Sequence, residues 1–146
     1  MHAKDGARER LASAREDLVA LSHRIHAHPE VGFEEERAAG WLCDDLAGAG
    51  FAVTRGVGDL PTAFVARAGS GPLHVAFCAE YDALPGIGHA CGHNMIAAMA
   101  VGAAAAAARV ADDVGLTVSV IGTPAEEGGG GKILLLDRGV FAGVHA

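Results

Sequence analysis

The chain has 146 residues, 11 of them Lys or Arg and 18 Asp or Glu, for a formal net charge of −7. An apolar fraction of 51% is globular rather than disordered, and the length suits one domain, residues 1–146, with a buried core. The acidic balance and the lack of any basic run argue against a nucleic-acid partner, because nothing could neutralise successive phosphates.

The first ten residues are polar and of mixed charge, with no apolar h-region, so no signal peptide is expected. The spacing of Leu11, Leu18, Leu21 and Ile25 predicts a helix over Ala7–Ala27, ended by Pro29. His23, His26 and His28 crowd this helix. The simpler reading is that His26 and the Pro29–Glu30 break fix the helix end against the sheet. A second helix fits Glu34–Ala49. Its opening glutamates suit the positive end of a helix dipole, and Gly48 and Gly50 offer a stop.

The period then changes. Phe51–Thr54, Thr62–Ala66 and Leu73–Ala79 read as strands parted by Gly/Pro turns. The third is almost wholly apolar and is predicted to be a central strand covered on both faces. A polar loop runs from Glu80 to Gly92. A helix over Asn94–Val110 follows, rich in alanine. The apolar stretch from Met95 to Ala108 is too short for a bilayer, so no membrane partner is expected. Thr117–Ile121 is another buried-type strand, and Lys132–Arg138 a short last helix. The order predicts an α/β fold, a sheet with helices on both faces. Cys43, Cys78 and Cys91 are irregularly spaced. They read as free thiols in a reducing compartment, so a cytoplasmic location is expected.

Polar groups crowd two segments that directly follow apolar strands, where open α/β sheets bind ligands. The first, Glu80–Asn94, holds Asp82, His89, Cys91 and His93. Cys91 and His93 flank one glycine, and a thiolate with an imidazole suits zinc or another divalent transition metal. The bland alternative is a buried cysteine beside a helix-capping residue. A further one is a cysteine nucleophile, Cys91 paired with His89 or His93, which would leave the glutamates below without a task. The second segment places Glu126 and Glu127 after a strand and before four glycines. One carboxylate can bind a metal while its neighbour serves as a general base; the alternative is a solvated acidic turn. His89 is read either as shaping the loop or as a hydrogen-bonded structural histidine, and His74 as a packing or edge residue.

Three stretches together resemble the metal-dependent aminoacylase and carboxypeptidase G superfamily of amidohydrolases. They are Arg24–Glu35, Tyr81–Pro85 with His89–Asn94, and Thr123–Gly129. The resemblance is to the branch of hippurate hydrolase, indole-acetyl-amino-acid hydrolases and aminobenzoyl-glutamate hydrolase. It implies metal-dependent hydrolysis of an amide bond in N-acyl amino acids or small dipeptides, at a centre of two divalent ions, zinc or manganese. By the same resemblance Cys91, His93 and Glu127 are metal ligands. Glu126 is the general base and Asp82 a carboxylate that orients a ligand imidazole. Asn94 replaces an aspartate common in the branch, which turns the comparison towards the aminobenzoyl-glutamate hydrolase and dipeptidase-like subgroup.

The family's other histidine ligands lie beyond the Glu-Glu pair, and so does an inserted lid and dimerisation domain. This chain stops at Ala146. The expectation is the N-terminal part of a di-metal hydrolase catalytic domain, with an incomplete ligand set and no lid. His145 is not expected to touch metal. The alternative is a non-catalytic metal-binding or oligomerising module. The expected partners are a small-molecule amide and, through exposed sheet edges, a second copy of the chain.

Overall fold

The computed structural model describes residues 2–146. Helix α1 (Ala3–Ser13) and helix α2 (Arg15–Ala27) replace the single predicted first helix. They join at Ala14, whose N–H reaches back to both Arg10 and Leu11. The end of α2 is fixed by His28, not His26: His28 Nδ1 lies 2.8 Å from the Arg24 carbonyl, and His26 is exposed.

Helix α3 (Glu36–Gly48) starts later than its acidic run suggested. Its first N–H groups are satisfied from upstream. Glu30 accepts from the backbone of Arg37 at 3.1 Å and of Ala38 at 2.9 Å. Glu35, at the boundary, sends its buried carboxylate elsewhere.

Strands β1 (Ala52–Arg55), β2 (Phe64–Gly69), β3 (Leu73–Ala79) and β4 (Leu116–Gly122) form one mixed sheet in the order β1-β2-β4-β3. Strand β2 runs antiparallel to β1 and β4, while β3 and β4 are parallel. Between them run helix α4 (His93–Ala108) and the short helix α5 (Ala111–Val114), which the sequence did not suggest. Helix α6 (Gly131–Asp137) closes the set.

One expectation is corrected. Strand β3 is not central but at the edge of the sheet, and β2 and β4 are the inner strands. An apolar run does not fix lateral position, and most of this strand is only half-buried. Its outer edge meets the chain terminus: Ala76 N–H donates to the Ala146 carbonyl at 2.8 Å, and His145 N–H to the His74 carbonyl at 2.9 Å. His145 Nδ1 accepts the His74 N–H at 3.0 Å, at the start of β3. The residues that follow β3 lie at its opposite end.

Helices cover both faces. On one, Leu21, Ile25, Leu42, Leu46 and the alanines of α4 pack on Phe64, Ala66, Val118 and Val120. On the other, Leu135 of α6 meets Ile121, Ala63 and Leu60. Alternate residues of β2 and β4 therefore feed separate cores. The alanines let α4 lie close on the sheet, which brings its first residue, His93, to the carboxyl ends of β3 and β4. No helix among the described residues is long and apolar enough to cross a membrane.

The capping role of Glu30 has a measurable consequence. Glu30→Ala should cost about 1 kcal/mol, the usual loss for a removed helix cap. Urea unfolding checks it, and Glu30→Gln should lose less because an amide oxygen still accepts one N–H.

Candidate metal and hydrolytic site

Strands β3 and β4 end in register, Ala79 opposite Gly122, so the two polar loops leave side by side. Thr123 pins this start: its N–H and hydroxyl both donate to the Ala79 carbonyl, at 2.8 and 3.1 Å.

After β3 the backbone alternates. Tyr81 turns inward, stacks on Phe64 at 6.0 Å and donates its hydroxyl to the Thr62 carbonyl at 2.6 Å. Its neighbours Glu80 and Asp82 both turn the other way, towards His93. Asp82 is buried and uses both carboxylate oxygens. Oδ1 lies 2.9 Å from His93 Nδ1, and Oδ2 accepts the Glu127 N–H at 3.0 Å.

The contacts of His93 fix its tautomer. Nδ1 faces two acceptors, the Asp82 carboxylate and the Asp82 carbonyl, both at 2.9 Å, so Nδ1 carries a proton. In the neutral ring Nε2 then presents a lone pair. It points at Glu80 Oε2 at 3.3 Å and Glu127 Oε1 at 3.4 Å. A lone pair facing two carboxylates is favourable only with a proton or a metal cation between them.

Cys91 is exposed and lies close to the Glu127 carboxylate. That contact, then burial and the charges of Glu127 and Asp82, raises the thiol above its ordinary value. A metal would have to displace the thiol proton to bind there. Glu126 leaves the loop on another side, 3.3 Å from Lys132 Nζ, which also pairs with Glu80 at 2.7 Å. Burial alone would lower the Lys132 pKa, but the hydrogen bond to Glu80 and the charges of Glu80 and Glu126 raise it.

The structure thus brings Cys91, His93, Asp82 and Glu127 together and sets Glu126 beside Lys132. The donors fit a divalent transition ion in kind: one thiol, one imidazole and carboxylates. Among the described residues, though, no group of three or more His, Cys, Asp or Glu is set to hold an ion as it stands.

Sequence reasoning missed Glu80 and Lys132. The period of two after β3 could have found Glu80, since it shares a side with Asp82. Lys132 carried no such signal. His89 is buried, 6.3 Å from the His26 ring, and neither ring nitrogen has a hydrogen-bond partner among the described residues. The reading of His89 as a hydrogen-bonded structural histidine is therefore corrected. The loop folds its ring inward, near His26, without supplying a partner among the described residues.

With this geometry in view, the comparisons place the chain. Residues 76–146 match the model of Peptidase family M20/M25/M40, and the chain is similar to hydrolases. It is 48% identical to the Xaa-Arg dipeptidase of Mus musculus, over 94% of this chain and 35% of that protein. It is 38% identical to one of the polypeptides of the p-aminobenzoyl-glutamate hydrolase of Escherichia coli K12, over 90% of this chain and 31% of that protein. A Bacillus subtilis protein, described as a dinuclear metal binding peptidase from the M20 family, superposes with a TM-score of 0.81 at 27% identity, over 91% of this chain and 41% of its own. The chain spans about a third of the length of these curated relatives.

His89 predicts a pH dependence of stability. Burial lowers its pKa, with the charges of His26 and His93 adding and those of Asp82 and Glu30 opposing. The folded chain binds a proton there less readily than the unfolded one. Its stabilising contribution is full above the unfolded value, about 6.5, and is lost as pH falls through that value towards the lower folded one. Urea midpoints between about pH 7.5 and pH 5 should show the decline. His89→Asn should flatten it; an unaltered slope would assign the loss to other groups.

Proposed function

We propose that this chain supplies metal-holding and proton-handling residues for hydrolysis of an amide bond in N-acyl amino acids or small dipeptides. The observation that carries the reading is His93: Nδ1 is locked by Asp82, and Nε2 is aimed at two carboxylates beside a thiol. The two curated relatives add support, since the names dipeptidase and aminobenzoyl-glutamate hydrolase both denote cleavage of an amide.

In this reading His93 Nε2, Cys91 Sγ and Glu127 hold a divalent metal, zinc or manganese, in a centre of two ions. When bound, the metal supplies Lewis acidity towards water and the scissile carbonyl. Asp82 keeps the His93 tautomer and ring plane, as carboxylates do for ligand histidines. Glu126 takes a proton from water and returns it to the leaving amine. Lys132 holds that carboxylate by one oxygen, 3.3 Å from its ammonium, and leaves the other for the proton. Glu80, tied to the same Lys132 and facing His93 Nε2, completes the negative wall of the site.

The remaining expectations belong to the same proposal. Residues 1–146 are part of a catalytic domain, the partner is a small-molecule amide, and the setting is cytoplasmic. Self-association through exposed sheet edges is proposed as well, and sedimentation velocity tests it. A second reading is a metal-binding module without turnover, since the donor set found among the described residues is not closed.

Elemental analysis of the folded chain, purified without chelator, should find one or two equivalents of a transition metal. A folded chain with none overturns the metal reading for this length of protein. Glu126→Gln should keep the metal and lower turnover by about 10²–10⁴-fold, the usual share of a general base. Cys91→Ser should instead weaken metal binding. Metal bound normally with no hydrolysis of N-acyl amino acids or dipeptides would favour the second reading.

A further inference from the structure

Glu35 is fully buried, a carboxylate inside the protein with no cation beside it among the described residues. Burial raises its pKa, against hydrogen bonds from its own N–H, Ala125, Thr62 and Phe33. Such a group is costly unless its partners are well placed. Oε1 accepts the Ala125 N–H at 2.7 Å, and Oε2 accepts the Thr62 hydroxyl at 3.0 Å. The Thr62 carbonyl in turn accepts the hydroxyl of Tyr81, the residue between Glu80 and Asp82. One carboxylate thus reaches the loop that carries Glu126 and Glu127 directly, and the Glu80–Asp82 segment through two hydrogen bonds.

Ala125 is the residue before Glu126, and its φ is +54°. An L-residue adopts that conformation at a cost, so the surroundings must impose it. Two of its neighbours are glycines. A Cβ on Gly32 or on Gly129 would lie 2.8 Å from the Ala125 methyl. Phe33, also at positive φ (66°), packs its ring against Gly129. The segment from Gly32 to Glu35 is therefore a mould beneath the turn, and Glu35 supplies its polar contact.

We propose that Glu35 is a positioning residue: its buried carboxylate holds the left-handed turn at Ala125 and so sets the directions in which Glu126 and Glu127 leave the loop. The functional consequence rests on the reading of those two glutamates given above; the structural claim stands without it.

The test uses the full chain with Glu35→Leu, which keeps bulk and removes both acceptors, and Glu35→Gln, whose amide can accept from Ala125 and donate to Thr62. The first measurement is amide hydrogen exchange at Ala125–Gly129, with the global stability of each variant taken from denaturation. Exchange at Ala125 should rise about tenfold or more in Glu35→Leu, beyond any global change, and stay near wild type in Glu35→Gln. Unchanged protection in Glu35→Leu overturns the proposal. If that variant does not fold, Thr62→Val removes one partner of the carboxylate and should raise exchange at Ala125 by a smaller factor; no rise there is equally fatal.

The second measurement is a cobalt(II) titration, followed by thiolate-to-cobalt absorption from Cys91. Affinity should fall about 10–100-fold in Glu35→Leu and be restored in Glu35→Gln. Wild-type affinity in a Glu35→Leu chain with a loosened turn would overturn the role at the site. A wild-type chain that takes up no cobalt would sink the metal reading instead, and the exchange result would then decide Glu35 alone.

Discussion

The carboxylate of Asp82 is the contact on which the site depends. One oxygen fixes His93 Nδ1, at the first residue of a helix, and the other holds the Glu127 N–H, in a loop that leaves a different strand. Three segments, from β3, α4 and β4, are brought to one point by a group whose two acceptors are both engaged and buried. Removing it would leave the Glu127 N–H without its partner and the imidazole proton with only the Asp82 carbonyl, so the ring would lose one of the two contacts that fix it. The sheet makes this possible because β3 and β4 are parallel and end opposite one another.

How much of this was legible from the sequence differs by kind of interaction. The bounds of Leu73–Ala79 were readable to the residue, because an apolar run between Pro72 and Glu80 has sharp chemical limits. Its place in the sheet was not readable, since lateral order depends on β2 pairing with β4 across a long stretch of chain. The acidic run Glu34–Glu36 looked like dipole compensation, yet the N–H groups of α3 are served by Glu30, and Glu35 serves Ala125, ninety residues away. Local signals such as turns and helix stops read well. Buried polar contacts between distant segments leave no local period to detect.

The candidate site divides in the same way. Cys91, His93, Asp82, Glu126 and Glu127 stood out because unusual residue types cluster after strands. Glu80 and Lys132 did not, because a glutamate after a strand and a lysine opening a helix are ordinary on their own. Only the fold shows that Lys132 bridges the two loops, Glu80 on one and Glu126 on the other. This charge pairing also changes the view of the glycine run. The glycines let the chain turn back so that α6 presents Lys132 to the acidic wall, and Gly131 passes so close to Pro124 that no side chain would fit.

Rigidity is graded across the site, and the grading follows chemistry. His93 and Asp82 are buried and mutually bonded, as suits groups whose orientation fixes a lone pair. Cys91 is exposed, and Glu126 is partly exposed with Lys132 beside it. In the function proposed for it, Glu126 moves a proton between water and an amine, which needs reach and access that a fully buried carboxylate would lack. The cost of holding an accessible pair at fixed angles is therefore transferred beneath it, to the glycines, Phe33 and the buried carboxylate of Glu35. That division accounts for a buried charge whose partners are a threonine hydroxyl and a strained backbone amide: in the core it would be a liability, and under a loop that must stay exposed it is a means of holding shape.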